Sequence, residues 1–476
     1  MRITQVKKLA TLDALLAHLE GLGVQIPVDA EVDPRGVLAT PVEVRDAGAG
    51  VLTVPNRFAV LPMEGWDATT EGRPTDLVRR RWGRFAASGC GLVWGEATAI
   101  RPDGRANPNQ LMVNETTIDE LADLRSLLAP GQVAGMQLTH SGRYSRPDAG
   151  GASPRTAYRH PVLDARLGVG SGAVFSDDEL DELVGQYVDA AVLAGQAGFD
   201  FVDVKHCHGY FLHELLSAHD RPGRYGGDLA GRTLFLRSVV AGVRDRAPGL
   251  ALALRLSLFD LMPFTAGEGG VGKPDGSDGA YPYAFGGDGT GLGIDLTETH
   301  QLLDLVEGLG IGLVSATAGS PYYNPHIQRP AYFPPSDGYL PPEDPLIGVA
   351  RQLAATAEVA ARHPGLTIVG GGYSYLQEWL PNVGQAVVRG GGASMVGLGR
   401  MVLSYPELPV DVLAGRPLDG RLLCRTFSDC TTAPRNGLVS GCFPLDPFYK
   451  DHPQRVELTR AKKEAKARLA APRRDR

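Results

Sequence analysis

The 476-residue chain has few cysteines, no excess of positive charge and no long uninterrupted apolar run. Five cysteines in a chain of this length do not make a disulfide framework, which excludes a small cross-linked secreted domain. The 47 lysines and arginines are fewer than the 54 aspartates and glutamates, and a net charge of −7 argues against a nucleic-acid partner. Because no run approaches the roughly 18 apolar residues of a membrane span, we expect no membrane partner either.

The amino-terminal residues also lack the features of a secretory signal peptide. Over residues 1–23, charged side chains interrupt apolar positions that recur at helical spacing, which predicts a short amphipathic helix. We assign residues 1–35 to an amino-terminal helical extension and expect the protein to be cytoplasmic. With 43% hydrophobic and 21% charged residues, the chain has the composition of a globular protein that buries a large core.

From residue 56 onward, short apolar runs typical of strands alternate with segments of helical periodicity. Ser176 and Glu179 have the spacing of a capping box, which marks the start of one of these helices. The predicted strands are residues 57–62, 91–97, 132–140, 200–204, 250–257, 311–317, 367–372 and 394–399. Eight strand–helix units predict an α/β fold, a (β/α)8 TIM barrel. An open doubly wound sheet shares the alternation, but the first strand lacks the Gly-x-Gly-x-x-Gly that would mark a dinucleotide site.

Three long segments rich in glycine, proline and tyrosine follow predicted strands, at residues 144–175, 264–296 and 318–346. Loops after strands form the catalytic face of such a barrel, so we expect enlarged βα loops over its mouth. Within the second segment, residues 266–293 are interpreted either as a flexible lid or as a disordered insertion.

Polar side chains stand at the carboxyl ends of four predicted strands, where a barrel gathers them at one mouth. They are Glu96, Thr98, Gln137, His140, Lys205, His208, Tyr210, Arg255 and Ser257. Arg255 is the most informative, because an unpaired guanidinium in a core is costly. It indicates either a bound anionic or electron-rich ligand or a buried pair with a carboxylate.

Predicted strands seven and eight end in glycines, at residues 370–372 and 397–399, and Arg400 follows directly. Backbone N–H groups approach a phosphate closely in such turns, and a guanidinium adds a bidentate cation. Together with Gln137 and Arg255, these residues predict a phosphorylated aromatic cofactor across the barrel mouth. A non-flavin barrel lyase that handles phosphosugars or phospholipids, or a noncatalytic ligand-binding protein, would use the same phosphate cradle.

Seven ordered segments of the sequence carry a resemblance to a known family. They are residues 56–63, 95–105, 137–143, 197–217, 224–232, 255–257 and 395–400. In order and spacing, these segments resemble the Old Yellow Enzyme family of FMN-dependent NAD(P)H:flavin oxidoreductases. The resemblance implies an FMN-binding barrel over residues 36–415, which takes hydride from NAD(P)H and reduces an activated C=C bond of a small-molecule substrate. The sequence allows a homo-oligomer.

The resemblance also implies roles for individual residues. The residues implied for FMN are Pro62, Met63, Ala97, Gln137, Arg255, Gly371, Gly372, Gly399 and Arg400. The first five would contact the flavin ring, and the last four would hold its phosphate. Among the implied catalytic residues, Lys205 and His208 would donate hydrogen bonds to a substrate oxygen, and Tyr210 would donate a proton to the α carbon. Fixed donors at a developing oxyanion and a tyrosine acid suit hydride addition to an alkene.

Two positions depart from the family pattern. Lys205 stands where histidine is usual, and its ammonium would bind an anionic group or neutralise an enolate. Glu64 stands where relatives carry a small or hydroxyl residue, and its carboxylate would disfavour the anionic reduced flavin or pair with a cationic substrate or Lys205. These departures suggest an alternative function, a flavin-dependent amine or C–H dehydrogenase running in the oxidative direction. His206 either has a role in the pocket or turns away from it.

The carboxyl-terminal segment, residues 416–476, contains a degenerate cysteine motif and a basic tail. Cys430 and Cys442 match the last two of four cysteines that bind a [4Fe–4S] cluster in the dienoyl-CoA reductase and trimethylamine dehydrogenase branch. Leu423 and Thr426 occupy the first two positions, with Cys424 displaced by one. Because two or three thiols do not make a four-thiolate site, we expect no metal. We also expect the branch's appended FAD/NAD domain to be absent.

Overall fold

The computed structural model describes residues 3–276 and 279–470. Its strands are β1 (Val42–Asp46), β2 (Gly50–Val54), β3 (Phe58–Val60), β4 (Leu92–Ala99), β5 (Val133–Thr139), β6 (Phe201–Val204), β7 (Ala251–Ser257), β8 (Phe264–Ala266), β9 (Gly272–Pro274), β10 (Leu313–Thr317), β11 (Thr367–Gly370) and β12 (Met395–Leu398). Eight of these strands pair in parallel and close into a barrel in the order β3-β4-β5-β6-β7-β10-β11-β12, with β12 returning to β3. The predicted (β/α)8 fold is confirmed.

Helices alternate with the barrel strands and also lie in the long loops and the two terminal segments. They are α1 (Leu12–Gly21), α2 (Asp76–Ala86), α3 (Ile118–Ser126), α4 (Pro161–Leu167), α5 (Asp177–Gln196), α6 (Phe211–Leu215), α7 (Leu229–Arg232), α8 (Leu234–Arg246), α9 (Thr297–Gly308), α10 (Pro325–Gln328), α11 (Pro345–Arg362), α12 (Leu380–Arg389), α13 (Arg400–Ser404), α14 (Leu408–Leu413), α15 (Asp429–Arg435), α16 (Pro447–Lys450) and α17 (Arg455–Ala470). Among residues 3–276 and 279–470, no helix has the length and apolar character that crossing a bilayer would require.

The predicted capping box is present at the start of α5. The Ser176 hydroxyl accepts a hydrogen bond from the Glu179 backbone N–H, and the Glu179 carboxylate accepts one from the Ser176 backbone N–H. A cap of this kind stabilises a helix by about 1 kcal/mol. At the amino terminus, the predicted helix begins only at Leu12, because the Thr11 hydroxyl caps it by accepting the Ala14 N–H.

The interior of the barrel is filled by apolar side chains from alternate strand positions, among them Leu92, Trp94, Phe201 and Met395. The hairpin of β1 and β2 contributes Val44 and Val54 to the same cluster and closes the amino-terminal end of the barrel. The polar residues at the other end are therefore left facing the long βα loops.

Several predicted strands end earlier than expected. The strand predicted over residues 57–62 ends at Val60, because Pro62 has no N–H to continue the ladder. The strands predicted over residues 367–372 and 394–399 end at Gly370 and Leu398, before the glycines turn away from the sheet. Each shortened end lies at the mouth of the barrel.

The enlarged βα loops contain structure of their own. Residues 144–175 include α4, residues 264–296 include the hairpin of β8 and β9, and residues 318–346 include α10. In the segment 266–293, Tyr281 and Ala284 are buried in a small core with Met262, Phe264 and Tyr339. The described part of this segment is therefore packed rather than disordered. Residues 277 and 278, which belong to the predicted lid, lie outside the described residues.

Candidate active site

The carboxyl ends of the barrel strands surround a cavity that also receives residues from the long loops and the carboxyl-terminal segment. Predicted site residues that line it are Pro62, Met63, Gln137, Lys205, His208, Tyr210, Arg255, Gly371, Gly372, Gly399 and Arg400. Ala97 is the exception: it is buried within β4 and does not belong to the described lining of the cavity. A register shift between Trp94 and Ala97 interrupts the alternation of β4, and this irregularity is invisible in the sequence.

A buried carboxylate organises the floor of the cavity. Asp203, in β6, accepts hydrogen bonds from the Trp94 indole N–H at 2.9 Å, the Arg255 backbone N–H at 2.7 Å and the Gln137 side-chain amide. The last contact fixes the orientation of the Gln137 amide. Burial raises the pKa of Asp203 to about 6. Sequence analysis missed this residue, although an aspartate inside the apolar run Phe201–Val204 was a visible signal.

Arg255 projects from β7 into the same floor and is buried. Its Nη1 donates to the Pro62 carbonyl oxygen at 3.0 Å, and its Nε has no hydrogen-bond partner among the described residues. No ion pair joins it to a carboxylate within the described part of the chain, so the alternative of a buried arginine–carboxylate pair is wrong. A guanidinium in this setting favours an anionic or electron-rich group in the cavity.

Two further guanidinium groups stand on the opposite side of the cavity. Arg400 donates through Nη2 to the Pro330 carbonyl oxygen at 2.7 Å, and Arg329 donates through Nη1 to the Thr431 hydroxyl. The remaining Nη1 of Arg400 and Nη2 of Arg329 are buried and have no partner in residues 3–276 and 279–470. Burial and the neighbouring cations lower the pKa of Arg329 to about 9. A multiply charged anion would pair with both groups.

The glycine-rich turns complete this side. Gly372 has a φ of +87°, a conformation that L side chains rarely adopt, and the space beside Gly399 is open. This side of the cavity therefore has the chemistry of a phosphate site. It combines the guanidinium groups of Arg329 and Arg400 with the turns at Gly371, Gly372 and Gly399. The fit to FMN rests on these unpartnered guanidinium groups, with Arg255 and Gln137 on the other side of the cavity.

Glu64, in the loop after β3, binds three side chains that surround its carboxylate. The Lys205 ammonium lies 2.7 Å from Oε1 and 3.7 Å above the centre of the Tyr210 ring. The Tyr210 hydroxyl and the Trp66 indole N–H each donate to Oε2 at 2.9 Å. Burial first, and the Glu64 charge second, raise the pKa of Tyr210 well above its ordinary value. Of the alternatives raised for Glu64, pairing with Lys205 is the one that this geometry supports.

The loop that carries Glu64 is held from below by a buried ion-pair network. Arg81 pairs with Asp67 at 2.7 Å and with Glu96 at 3.0 Å, and the second oxygen of Glu96 accepts the Gly65 N–H at 3.1 Å. A side chain at Gly65 would collide with Arg81. Glu96 was predicted among the polar residues at the barrel mouth. In the structure it stabilises the loop that carries Glu64. Trp66 has a φ of 53°, a strained value for a bulky residue, and it directs its indole to Glu64.

The Tyr210 hydroxyl also contacts the Tyr322 hydroxyl at 2.9 Å. Because the single proton of Tyr210 is donated to Glu64, Tyr322 is the donor in this second bond. Tyr322 in turn stacks on Tyr144 with ring centres 4.0 Å apart and an interplanar angle of 8°. Burial raises the pKa of Tyr322 above its ordinary value. A row of three tyrosines therefore extends from the loops to the Glu64 carboxylate.

The two histidines that flank Cys207 behave differently. His208 faces the cavity, with Nε2 at 3.3 Å from the Thr317 hydroxyl and 3.2 Å from the Gln328 amide nitrogen. Burial lowers its pKa well below the ordinary value, which favours the neutral ring. His206 turns away from the cavity: its Nδ1 lies 2.7 Å from the Val204 carbonyl oxygen, and burial lowers its pKa to about 4.

The carboxyl-terminal cysteines are buried or half-buried, and Cys430 lines the cavity. Within the described residues, the group of side chains that is close enough to share a metal ion is Asp304, Glu307 and His363, and it includes no cysteine. Burial raises the pKa of Cys430, while Arg400 and Arg329 beside it act in the opposite direction.

Several lining residues were not predicted from the sequence: most come from the long third loop and the carboxyl-terminal segment, while Trp66 follows β3 and Gln352 lies in α11. They are Trp66, Tyr322, Gln328, Arg329, Gln352, Thr431, Pro434 and Arg435. Arg435 pairs with Asp337 at 2.6 Å and lies over the Tyr322 ring. The only available signal was the density of aromatic and basic residues in these segments.

Comparison with known proteins agrees with this geometry. Residues 41–269 match the model of the NADH:flavin oxidoreductase / NADH oxidase family. A solved structure of 2-naphthoyl-CoA reductase with 2-naphthoyl-CoA has a TM-score of 0.65 and 18% identity, covering 88% of this chain and 58% of that chain. Histamine dehydrogenase from Rhizobium sp. 4-9 has a TM-score of 0.64 and 20% identity, covering 88% and 53%.

Smaller proteins match over almost their whole length. The old yellow enzyme homologue from Zymomonas mobilis has a TM-score of 0.55 and 20% identity, covering 80% of this chain and 94% of that chain. Morphinone reductase in complex with tetrahydroNAD has a TM-score of 0.55 and 19% identity, covering 80% and 92%. The chain thus spans just over half of the first two structures and nearly all of these two. At such identities, the likeness to solved structures shows the fold.

Proposed function

We propose that the chain is an Old Yellow Enzyme-like, FMN-type oxidoreductase, which its match to the NADH:flavin oxidoreductase / NADH oxidase family over residues 41–269 supports, and that it takes hydride from NAD(P)H and reduces an activated C=C bond. One observation carries this proposal: the Arg255 guanidinium and the Tyr210 hydroxyl belong to the same cavity. Within the described part of the chain, that guanidinium has no carboxylate partner. The substrate is proposed to be a small molecule.

The residues of the cavity divide into those that would hold FMN and those that would act on the substrate. Gln137 and Arg255 would bind the pyrimidine side of the ring, with Pro62 and Met63 beside it. Arg329, Arg400 and the glycine turns would bind the phosphate. FMN, when bound, supplies hydride transfer, which no protein side chain provides.

The side chains around the substrate would stabilise charge and move a proton. In a neutral His208 ring whose Nε2 accepts from the Gln328 amide, the one N–H is on Nδ1 and would donate toward a substrate oxygen, and the Lys205 ammonium adds positive charge nearby. Tyr210 would hold a proton on its hydroxyl oxygen and deliver it to the α carbon as the enolate develops. Tyr322, Trp66 and Pro434 would form an apolar wall that excludes water from the reacting bond.

A second candidate function, a flavin-dependent amine or C–H dehydrogenase, is favoured by one observation. Glu64 brings a carboxylate to the cavity, and its hydrogen bond to Tyr210 is oriented to accept a proton. A histamine dehydrogenase is also among the structures with the same fold. The Lys205 ammonium already neutralises Glu64, however, which weakens the case for a cationic amine substrate.

The two directions are separated by anaerobic mixing of the purified protein with candidate reactants. In the proposed function, NAD(P)H bleaches the flavin, and an α,β-unsaturated carbonyl or dienoyl compound restores the colour. Bleaching by an amine or a saturated carbonyl compound without nicotinamide would favour the second candidate instead. A colourless preparation that takes up no FMN would favour a non-flavin lyase or ligand-binding protein with the same phosphate site.

A further inference from the structure

The Tyr210 side chain is largely buried at the edge of the cavity. The side chain is 3% exposed, and its hydroxyl bonds to Glu64 and Tyr322 within the described residues. If Tyr210 gives its proton to a substrate carbon in each turnover, the proton must be replaced before the next one. Among the described side chains, these two partners contact the hydroxyl, and they are the candidates to carry the replacement proton.

Glu64 suits this role better than Tyr322. A phenolate is about six pKa units more basic than a carboxylate, so a proton on Glu64 moves readily to an ionised Tyr210. Tyr322 is itself a phenol whose pKa burial raises, and it offers no such driving force. Glu64 also reaches solvent, since 14% of its side chain is exposed.

We propose that Glu64 relays protons between solvent and Tyr210, with Lys205 and Trp66 as the positioning residues that hold its two oxygens. The inference rests on the proposed function of Tyr210. In the reductive direction, the Tyr210 O–H bond breaks as the Cα–H bond forms. The phenolate then takes the proton that solvent water has supplied to Glu64, which returns to its carboxylate form. No electrons move in these steps, and the oxidative direction is their reverse.

The positions of the neighbouring groups match this role. The Tyr210 oxygen and Glu64 Oε2 lie 2.9 Å apart, so a Tyr210 phenolate and a Glu64 carboxylate would repel each other. An ionised Tyr210 therefore favours binding of a proton to Glu64. Lys205 bonds Oε1 and leaves Oε2 to Tyr210, and its ammonium over the Tyr210 ring stabilises the transient phenolate. Trp66 bonds Oε2 from a strained backbone, which fixes the carboxylate plane.

The first test compares single and multiple turnovers of the FMN-loaded Glu64→Gln enzyme. The amide fills the same space, but it accepts hydrogen bonds through one oxygen only and does not carry the proton. Flavin reduction by NAD(P)H and the first alkene turnover of the reduced enzyme should stay within a few-fold of wild type. Steady-state turnover should fall by about tenfold or more, with an increased solvent isotope effect.

Two variants make this test decisive. Tyr210→Phe should slow the first alkene turnover itself. An unchanged first turnover in this variant would contradict the proposed role of Tyr210 as proton donor, and so the proposed function. If Tyr210→Phe slows that step but Glu64→Gln turns over as fast as wild type, the relay is overturned while the proposed function stands. Slow multiple turnover in Tyr322→Phe rather than in Glu64→Gln would also overturn it. Glu182→Gln, on the exposed face of α5, controls for the loss of one carboxylate.

A second readout does not depend on turnover. The tyrosinate absorbance is titrated with pH for the wild-type protein and for Glu64→Gln. The same titration is run on each protein with Tyr210→Phe added, and the difference gives the absorbance of Tyr210 alone. The charged or titratable groups that face Tyr210 are Glu64, Tyr322 and Lys205. Glu64→Gln should lower the pKa of Tyr210, whereas an unchanged titration would mean that the two groups are not coupled. If Glu64→Gln folds poorly, the charge-balanced double variant with Lys205→Met takes its place in both tests.

Discussion

The Lys205 ammonium lies 2.7 Å from a carboxylate oxygen of Glu64. The two residues are 141 positions apart in the sequence, and each departs from the pattern of the family that the chain resembles. A lysine or a carboxylate alone at this position would leave an uncompensated charge in the cavity. Because Lys205 and Glu64 pair, their charges cancel and this part of the cavity is close to neutral. The paired carboxylate also holds the Tyr210 hydroxyl.

Breaking the pair should destabilise the fold. In Lys205→Met, Glu64 keeps its charge in a largely enclosed position without a cation. We expect the free energy of unfolding to fall by about 2–3 kcal/mol, the low end for a buried pair because Glu64 reaches solvent. Urea denaturation measures this change. The double variant Lys205→Met/Glu64→Gln should recover most of the loss, and a double variant as unstable as the single one would show that lost packing, rather than charge, is responsible.

Tyr210→Phe should separate the two half-reactions. Flavin reduction by NAD(P)H needs no proton from Tyr210 and should keep its rate. Reoxidation by an activated alkene should slow by roughly 10²-fold or more, because the α carbon loses its proton donor. Stopped-flow absorbance of the flavin band measures both rates. Equal slowing of the two halves would mean that Tyr210 shapes the cavity without acting as the acid.

The phosphate site should discriminate FMN from riboflavin. Arg329→Ala and Arg400→Ala each remove a charge-assisted hydrogen bond, so the affinity for FMN should drop by about 10- to 100-fold. Riboflavin lacks the phosphate, and its affinity should stay the same. Quenching of flavin fluorescence gives both dissociation constants. Arg351→Ala, which removes a guanidinium paired with Glu343 outside the described cavity lining, is the matched control and should not alter the FMN to riboflavin ratio.

Asp203 should make the stability of the fold depend on pH. Burial raises its pKa in the folded protein to about 6, above the value of about 3.9 in an unfolded chain. Between these values the folded state binds more protons, so stability should fall as pH rises from about 4 through 6. The stability difference between wild type and Asp203→Asn should change by about 2–3 kcal/mol over this window and be constant above it. Urea denaturation at several pH values tests this, and a difference that does not vary with pH would contradict it.

The sequence predicted the barrel well, because strand and helix periodicity is a local property that survives in the fold. It also placed Arg255 at the mouth of the barrel, where this residue lines the cavity, and its role in binding a ligand stays a prediction. Ala97 was placed less well, because the irregularity in β4 depends on how β4 pairs with β5. The domain boundaries remain a prediction.

The residues that the sequence did not reveal depend on long-range packing. Arg329 and Tyr322 belong to a loop whose path is set by contacts with the carboxyl-terminal segment, such as the bonds from Arg329 to Thr431 and from Arg435 to Pro321. No local pattern indicates which of several loop tyrosines or arginines reaches the cavity. Glu64 was visible as an anomaly, but its partner was one of several alternatives until the geometry was known.

The central claim is that Arg255, Arg329 and Arg400 bind the two ends of one FMN molecule. A crystal structure of the protein purified or soaked with FMN tests it most directly. The account predicts the pyrimidine edge of the flavin ring within hydrogen-bond distance of Arg255 and Gln137, and the phosphate between Arg329 and Arg400. A cavity that stays empty at saturating FMN, or a flavin bound away from Arg255, would contradict it.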